Sequence, residues 1–393
     1  MILSKIFSFL SSSRLMALLF VSFAVSMAAG TFVESEYNTD TARIWVYNAW
    51  WFELIMVLFV FNFVGNISKY RLLRKEKWAT LLLHLSFILI IVGAGVTRYL
   101  SYEGVMPIRE GETATTIYSD KAYVTALVDG NYQGEPRRRT FEKGLYLSPV
   151  TSNKFTLDGF FNETTFEVTY KDFIMNAVET ITEDESGVYY LKMVESGDGT
   201  RHEHYLKEGE VQNIHNILYA FNKETEGAIN IIKKDNEYFI KAPFEGDYMR
   251  MADQAKGKVA ADSLQVLNLR SLYNMANTSF VFPEFAKKGK KTYVSNNDFK
   301  DKKTDDVLVV NLTANGETKE LTLVGSAGKQ GIPQSVTIGD LDYTVFFGSK
   351  LYELPFALKL DDFIADKYPG TEKRYAAFKS KLELIDKAQN KPQ

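Results

Sequence analysis

Histidines are the side chains of this sequence best suited to chemistry, and the chain has four of them among its 393 residues. His84 stands inside an apolar stretch, whereas His202, His204 and His215 lie close together in a polar region. Neutral imidazole is the commonest metal ligand and a frequent axial ligand of haem iron. The chain has no cysteine, which excludes disulfides, thiolate metal sites and thiol nucleophiles.

His84 lies in the first half of the apolar segment from Trp78 to Val96. An ionisable group at lipid depth is costly, so such groups usually face a bundle interior and mark function. At helical spacing, the residues on its face are Thr80, Ile88, Ile91 and Gly95. Two interpretations stay open: a structural histidine that bonds a neighbouring helix, or a metal ligand whose companion comes from elsewhere. The small residues Gly93-Ala94-Gly95 predict that another helix approaches closely.

The other candidate residues have simpler interpretations. His202-Glu203-His204 puts two imidazoles on the same face of a strand, which can chelate a metal ion but also fits a solvated edge. For His215 we expect local hydrogen bonding, for Glu53 a boundary carboxylate, and for Trp50-Trp51 an interfacial belt. The sequence contains no phosphate loop, nucleophile elbow, zinc motif or dinucleotide fingerprint.

Three segments that precede residue 98 predict transmembrane helices, at about 15–31, 48–66 and 78–96. Each has about the 20 apolar residues needed to cross a hydrocarbon core. The first segment is also compatible with a cleaved signal peptide, because Lys5 and Arg14 precede an apolar run that ends in small residues. We favour a first helix of a bundle, because two further spans follow closely.

Loop charge predicts the orientation of these spans. Residues 67–77 carry five lysines and arginines against Glu76, whereas residues 31–48 carry three acids against Arg43. The positive-inside rule therefore puts the basic loop and the N-terminus in the cytoplasm and residues 99–393 outside, in a multi-pass protein of the inner (plasma) membrane. The overall formal charge of −3 gives no reason to expect a nucleic acid partner.

Residues 99–393 read as one large, mainly antiparallel β extracytoplasmic domain. Alternating runs at 165–170, 307–312 and 343–347 predict strands. Turns are predicted at Asp129-Gly130, Asp158-Gly159, Gly197-Asp198-Gly199 and Asn315-Gly316. Helical stretches are expected near 211–221, 260–276 and 372–386. The predicted fold class is thus a membrane region of three N-terminal helices (residues 1–98) followed by this β domain.

The order of these parts resembles the ResB (CcsB) family of cytochrome c biogenesis proteins, the haem-handling machinery of system II. The likeness extends from the first span to about Leu384. The stretches that carry it are Ala28-Ala29-Gly30-Thr31-Phe32-Val33, Asn48-Ala49-Trp50-Trp51-Phe52, Leu81-Leu82-Leu83-His84-Leu85-Ser86, Arg109-Glu110-Gly111-Glu112-Thr113, Leu354-Pro355-Phe356-Ala357-Leu358 and Tyr368-Pro369-Gly370.

This resemblance implies a function. Such proteins act with a CcsA-type partner that bears a tryptophan-rich haem-binding segment, and together they move haem b across the membrane and attach it to apocytochrome c. His84 occupies the position of the family's third-span histidine, a proposed axial ligand of haem iron, and the partner supplies the second histidine. The chain is then an accessory subunit of a cytochrome c synthase complex that is not catalytic alone.

Two departures from the family pattern bear on this reading. The family continues past the stretch that resembles Leu354–Leu358 into further outer segments and a closing transmembrane helix, whereas this sequence ends at Gln393. The tryptophan-rich partner motif is also absent, so we do not expect autonomous haem attachment. The alternative function is a membrane-anchored extracytoplasmic binding or scaffold protein in which His84 is purely structural.

Overall fold

The computed structural model describes residues 2–196, 201–235, 237–300, 304–372 and 374–386. The turn predicted at Gly197-Asp198-Gly199 lies outside these ranges. By internal contacts the chain divides into a first unit, Met1–Ala177 with Ser295–Gln393, and a second unit, Val178–Val294.

The beginning of the first unit is helical. Its elements are α1 (Ile2–Leu10), α2 (Ser13–Glu36), α3 (Thr39–Ala42), a π-helical turn (Arg43–Tyr47), α4 (Trp50–Lys69), a 3-10 turn (Lys75–Lys77) and α5 (Trp78–Tyr99). Three helices, α2, α4 and α5, are long and apolar enough to cross a membrane. The prediction of three such helices ahead of a mainly antiparallel β region is confirmed.

The described residues that follow form strands joined by turns and loops. They are β1 (Gly104–Val105), β2 (Thr113–Tyr132), β3 (Glu135–Leu145), β4 (Thr156–Phe161), β5 (Thr164–Ile174), β6 (Ala177–Ser196), β7 (His202–Lys207), β8 (Val211–Ile214), β9 (Ile217–Phe221), β10 (Ile229–Lys234), β11 (Glu237–Lys241), β12 (Gly246–Arg250), β13 (Lys256–Val259), β14 (Gln265–Val266), β15 (Ser271–Met275), β16 (Thr278–Val281), β17 (Lys287–Ser295), β18 (Asp306–Ala314), β19 (Glu317–Gly325), β20 (Gln334–Ile338), β21 (Leu341–Lys367) and β22 (Tyr375–Asp386).

Two sheets of the first unit enclose one apolar core. One sheet has the order β1-β2-β21-β20 with β3 and β22 at its sides, and the other runs β19-β18-β5-β4. Their facing side chains include the fully buried Val124, Val168 and Val345. Alternation along each strand sends every second residue into this core, which is why the three predicted strands are confirmed within β5, β18 and β21.

The second unit also consists of two sheets around its own core. The larger sheet has the order β13-β12-β15-β16-β6-β17, with β7 paired to β6, and the smaller runs β14-β11-β10-β9-β8. All the strand pairs described in this unit are antiparallel except β9 and β10. Leu191 and Phe280 from the larger sheet meet Ile229 and Ile240 from the smaller one in this core.

The predicted helices at 211–221, 260–276 and 372–386 are wrong. The first is the β8–β9 hairpin, the second contains β14 and β15, and the third is β22. In β22 the apolar Phe378, Leu382 and Leu384 alternate with charged residues, and the strand pairs with β21 along most of its length. The segment therefore forms a strand despite its helix-forming composition, because pairing with β21 is more favourable.

Two of the predicted turns are also wrong. Gly130 lies within β2 and Gly159 within β4. A Cβ at Gly130 would collide with Leu341 and Phe161, and one at Gly159 would collide with the Phe166 ring, so these glycines permit close packing and form no turn. The Asn315-Gly316 turn is confirmed, because both residues have positive φ between β18 and β19.

Candidate functional site

His84 lies on α5, six residues after Trp78, which places it about 9 Å along the helix axis. Its Nδ1 is 2.9 Å from the carbonyl oxygen of Thr80, one turn earlier. This contact fixes the tautomer, because a ring nitrogen that faces a carbonyl must carry the proton. Among the described residues no hydrogen bond is seen at Nε2.

Aromatic side chains hold the imidazole on one side. The Phe63 ring of α4 meets His84 edge-on, with ring centres 5.7 Å apart and planes at 85°. Phe63 is stacked on Phe87 at 5.3 Å and on Phe59 at 5.8 Å. The orientation of His84 is therefore set by packing as well as by its hydrogen bond, as a preorganised ligand requires.

An apolar cavity of about 610 Å³ lies between α2, α4 and α5. Phe63 and Phe87 are among its lining residues, whereas His84 is not. At another part of the wall Arg98 pairs with Glu53 and donates to the Tyr47 carbonyl at 2.8 Å. The boundary carboxylate Glu53 thus has an ionic partner, and the cavity has the character of a site for an apolar molecule.

Helix α5 buries none of its residues within the chain, in contrast to α2 and α4. Ile88 and Ile91 pack on the aromatic cluster, as their shared face with His84 predicts. A Cβ placed at Gly93 or Gly95 would meet nothing within 4 Å. Within the described residues no helix of this chain packs on these glycines, so the close approach of another helix stays a prediction, and most of the α5 surface faces outward.

A polar contact inside the helical region was missed by sequence reasoning. Asn62 of α4 is fully buried and donates to the carbonyl oxygens of Leu10 at 2.6 Å and Ser12 at 3.2 Å. These are carbonyls at the break between α1 and α2, where helix-end groups lack intrahelical partners. Asn66 donates in turn to Asn62 at 2.8 Å. The signal available in the sequence was the pair of amides one helical turn apart in an apolar segment.

Short polar contacts join the segment after α2 to the sheets of the first unit. Arg43 forms an ion pair with Asp120 of β2 at 3.0 Å. The hydroxyl groups of Thr41 and Ser148 are 2.7 Å apart, and both side chains are fully buried. The helical region is therefore in direct contact with the sheets of the first unit. The loop predicted between the first two spans is largely helical.

Two stretches that carry the family resemblance are neighbours in the fold. The backbone N–H of Gly111 donates to Leu360 at 2.7 Å, and that of Leu360 donates to Glu112 at 3.1 Å. The Glu110 carboxylate accepts the Phe363 N–H at 2.7 Å. Residues 109–113 and strand β21 are far apart in the sequence. Their hydrogen bonds thus hold them side by side in the fold.

The three remaining histidines come together in the second unit around the carboxylate of Glu195. Nε2 of His204 is 3.3 Å from Oε1 of Glu195, and Nε2 of His215 is 3.1 Å from the same oxygen. The interpretation of His215 as a local hydrogen-bonding residue is therefore too narrow. Sequence reasoning missed Glu195, because nothing in the spacing shows which strand pairs with His202-Glu203-His204.

Comparison with known proteins gives a partial match to a curated protein. No family model matches the sequence. The chain is similar to Protein NrfI of Wolinella succinogenes, with 39% identity over 119 residues. The match covers 30% of this chain and 13% of NrfI, so only the matched segment of the chain corresponds to a small part of that longer protein.

Proposed function

We propose that the chain is a cytochrome c biogenesis subunit in which His84 ligates haem iron at lipid depth. In this proposal haem b is cargo that passes, with a CcsA-type partner, to apocytochrome c. The residue likeness to the ResB family and the partial identity to NrfI both support a role in cytochrome c biogenesis. Haem transfer and the partner are inferred from the family resemblance.

The observation that carries the proposal is the hydrogen bond from His84 to the Thr80 carbonyl. Metal-ligating histidines almost always donate their other ring N–H to a carbonyl or carboxylate, which orients the ring and raises its basicity. His84 has this arrangement, with Nε2 left for a metal ion. Its surroundings therefore fit one axial ligand of haem iron.

The open surface of α5 supports the proposal that a partner protein supplies the second haem ligand. A bis-histidine site needs a second imidazole, and His84 is the only histidine in the three apolar helices. Because α5 buries none of its residues in this chain, a helix of another protein has room to bring that ligand. Glycines on α5 with open space above them suit such an approach.

The test uses membranes that contain the full chain together with a CcsA-type partner. We expect a haem absorbance that His84→Ala reduces to a small fraction of the wild-type value, and that added imidazole partly restores. Ser86→Ala is the matched control, because Ser86 lies on the same helix and its hydroxyl bonds only locally, to the Leu82 carbonyl at 2.8 Å. Its haem content should equal that of the wild type.

Unchanged haem in the His84→Ala membranes would reject the ligand role. If that variant also retained apocytochrome capture, the result would favour the alternative of a membrane-anchored scaffold. Equal losses in the two variants would indicate a folding defect of the helix and would equally count against a specific ligand.

The proposed orientation puts both sheet units outside the cytoplasm. The chain offers a clean test because it contains no cysteine. A single cysteine at Lys75, in the basic loop, should react with an impermeant maleimide only after the cells are opened. A single cysteine at Asp361, which is exposed on β21, should react in intact spheroplasts. The reverse pattern would invert the topology.

A further inference from the structure

The second unit contains a cluster of four potential ligand groups that the proposed function does not use. One potential ligand atom each from Glu195, His202 and His215 lie within 4.8 Å of one another. His204 adds a third imidazole, with its Nε2 at 3.3 Å from Glu195. All the histidines outside the membrane-crossing helices thus gather at one point.

Strand pairing accounts for three of these groups. In the β6–β7 ladder Glu195 is directly opposite His202, and side chains of opposite residues lie on the same face. His204 follows two residues later and therefore shares that face. Glu203, between them, is on the other side of the strand, where it pairs with Lys192 and Arg201 at 2.7 Å.

The fourth group comes from the other sheet through an unusual turn. His215 and Asn216 connect β8 to β9, with φ values of 49° and 64°. Two positive φ angles define a type I′ hairpin, which favours asparagine and glycine and is uncommon for other residues. The conformation brings the His215 imidazole to within 3.1 Å of the Glu195 carboxylate.

The environment of Glu195 distinguishes this cluster from a solvated edge. Glu195 is 1% exposed, whereas His202 and His204 are half-buried and His215 is exposed. A carboxylate is rarely buried unless it is paired or coordinates a metal. The adjacent Tyr219 is equally buried, its hydroxyl has no hydrogen-bond partner among the described residues, and burial together with the Glu195 charge raises its pKa.

The spacing suits a metal ion. Bonds of 2.0–2.1 Å in a tetrahedral zinc site put neighbouring ligand atoms about 3.3 Å apart. The distance from Nε2 of His215 to Oε1 of Glu195, 3.1 Å, is close to this value. Imidazole with one carboxylate is a donor set for zinc and its neighbours in the transition series. His204 and His215 also line an open cleft, through which an ion can enter.

We propose that Glu195, His202 and His215 bind a divalent transition-metal ion, with zinc as the reference ion, and that His204 positions the Glu195 carboxylate. The site is independent of His84 and of haem. It belongs to the second unit alone, and its chemistry is that of a three-ligand centre with a position open to the cleft.

The experiment measures Zn²⁺ binding by the purified full chain in detergent after removal of bound metal with a chelator. We expect one tightly bound Zn²⁺ per chain by calorimetry and by competition with a chromogenic chelator. Co²⁺ bound in its place should give the visible absorption of a tetrahedral centre, which reports coordination directly.

Ligand variants should weaken binding by at least about tenfold each, since even a partner of a ligand is worth about 10–100-fold. The informative changes are Glu195→Gln, which keeps the shape, His202→Gln, and His215→Asn, which suits the positive φ of the turn. Glu203→Gln is the matched control on the opposite face and should leave the dissociation constant unchanged. Melting in excess chelator identifies any variant that fails to fold.

No stoichiometric Zn²⁺ binding by the wild-type chain would overturn the proposal and leave a hydrogen-bonded histidine–carboxylate network. Equal weakening in Glu203→Gln and Glu195→Gln would also overturn it, since adventitious surface binding has no preference for one face. Loss of haem in the His84→Ala membranes leaves this result unaffected, so the two proposals fail separately.

Discussion

The four histidines of the chain divide between two regions with opposite designs. In the helical region His84 stands alone, held by the Thr80 carbonyl and the Phe63 ring. In the second unit three histidines surround one buried carboxylate, and His204 and His215 contact the same oxygen. The first arrangement offers a single ligand on an outward-facing helix, whereas the second contains a full donor set within one chain.

This difference indicates which further component each region would need in order to bind a metal. A metal held at His84 would need a second ligand from another protein, so that site would depend on assembly. A metal held at Glu195 would need only the ion, so the site in the second unit would depend on metal supply. The following predictions test whether the two regions differ in this way, starting with the largest expected effect.

Asp306 of the first unit is a half-buried counterpart to Glu195 that has a backbone donor in place of imidazoles. It accepts the Asn176 N–H at 2.8 Å, and burial raises its pKa to about 6. Because this pKa lies above the ordinary value of 3.8, the stabilising contribution of the group is full below about pH 4 and is lost as the pH rises through 6. Asp306→Asn should therefore stabilise the chain at pH 7, by at most about 3 kcal/mol, and have little effect at pH 4.

Thermal unfolding in detergent between pH 4 and 7.5 measures this difference. Asp305→Asn serves as control, because it removes the same charge one residue away, where the carboxylate pairs with Lys329 at 2.5 Å. The control should keep the direction of the wild-type pH trend and only weaken it, because burial is the main cause of the raised pKa of Asp306 and the Asp305 charge a smaller one. If Asp306→Asn were no more stable than the wild type at pH 7, its carboxylate would not be the penalised group.

Zinc should stabilise the second unit by mass action. At a free Zn²⁺ concentration 100 times the dissociation constant, binding to the folded state alone adds about 2.7 kcal/mol. We expect a rise in the melting temperature of several degrees for the wild type, and a much smaller rise for Glu195→Gln. A differential scan with and without the ion decides this. Equal shifts in both proteins would place the ion elsewhere.

The sequence alone predicted the helical region, residues 2–99, well because long apolar runs have few alternatives. The basic residues of the 67–77 loop and the isolation of His84 were visible without a structure. The histidine cluster of the second unit was not predictable, because Glu195 and His215 meet only through strand pairing and a positive-φ turn. Register and sheet order are long-range properties, and local spacing carries no information about them.

Errors in the β region have the same origin. Residues 375–386 contain strong helix formers, yet they form a strand. This strand is held by cross-strand pairs with β21, such as Lys381 with Asp362 at 2.9 Å. The glycines of β2 and β4 looked like turn residues, whereas they make room for rings from other strands. In each case tertiary packing outweighed local preference.

Asn62 and His84 are both polar residues within the apolar helices, and mutation should distinguish their roles. Asn62→Leu leaves the carbonyls of Leu10 and Ser12 without their donor, so we expect a loss of stability of about 1–2 kcal/mol. His84→Leu should leave the stability of the isolated chain nearly unchanged, because its ring bonds only within its own helix. Resistance to denaturation by sodium dodecyl sulfate compares the two. A larger loss in His84→Leu would make that histidine a structural residue.

Gly93 provides the smallest and most selective test of the idea that α5 is completed by another protein. A Cβ there would meet nothing within 4 Å, so Gly93→Ala should stabilise the isolated chain slightly, by up to about 1 kcal/mol, through helix propensity. Gly93→Leu should also be tolerated in the isolated chain. In the presence of a CcsA-type partner, however, the bulkier side chain should reduce co-purification and haem content together, because it occupies the space that a partner helix needs.

Gly30→Leu is the contrasting variant, since Tyr47 already lies 2.5 Å from the position of the added Cβ. The isolated chain itself should therefore lose stability. Gly93 is nine residues from His84, about half a turn around the helix, so this variant tests partner packing on the opposite face of α5. If Gly93→Leu assembled with the partner as well as the wild type does, the partner helix would have to pack on another face of α5.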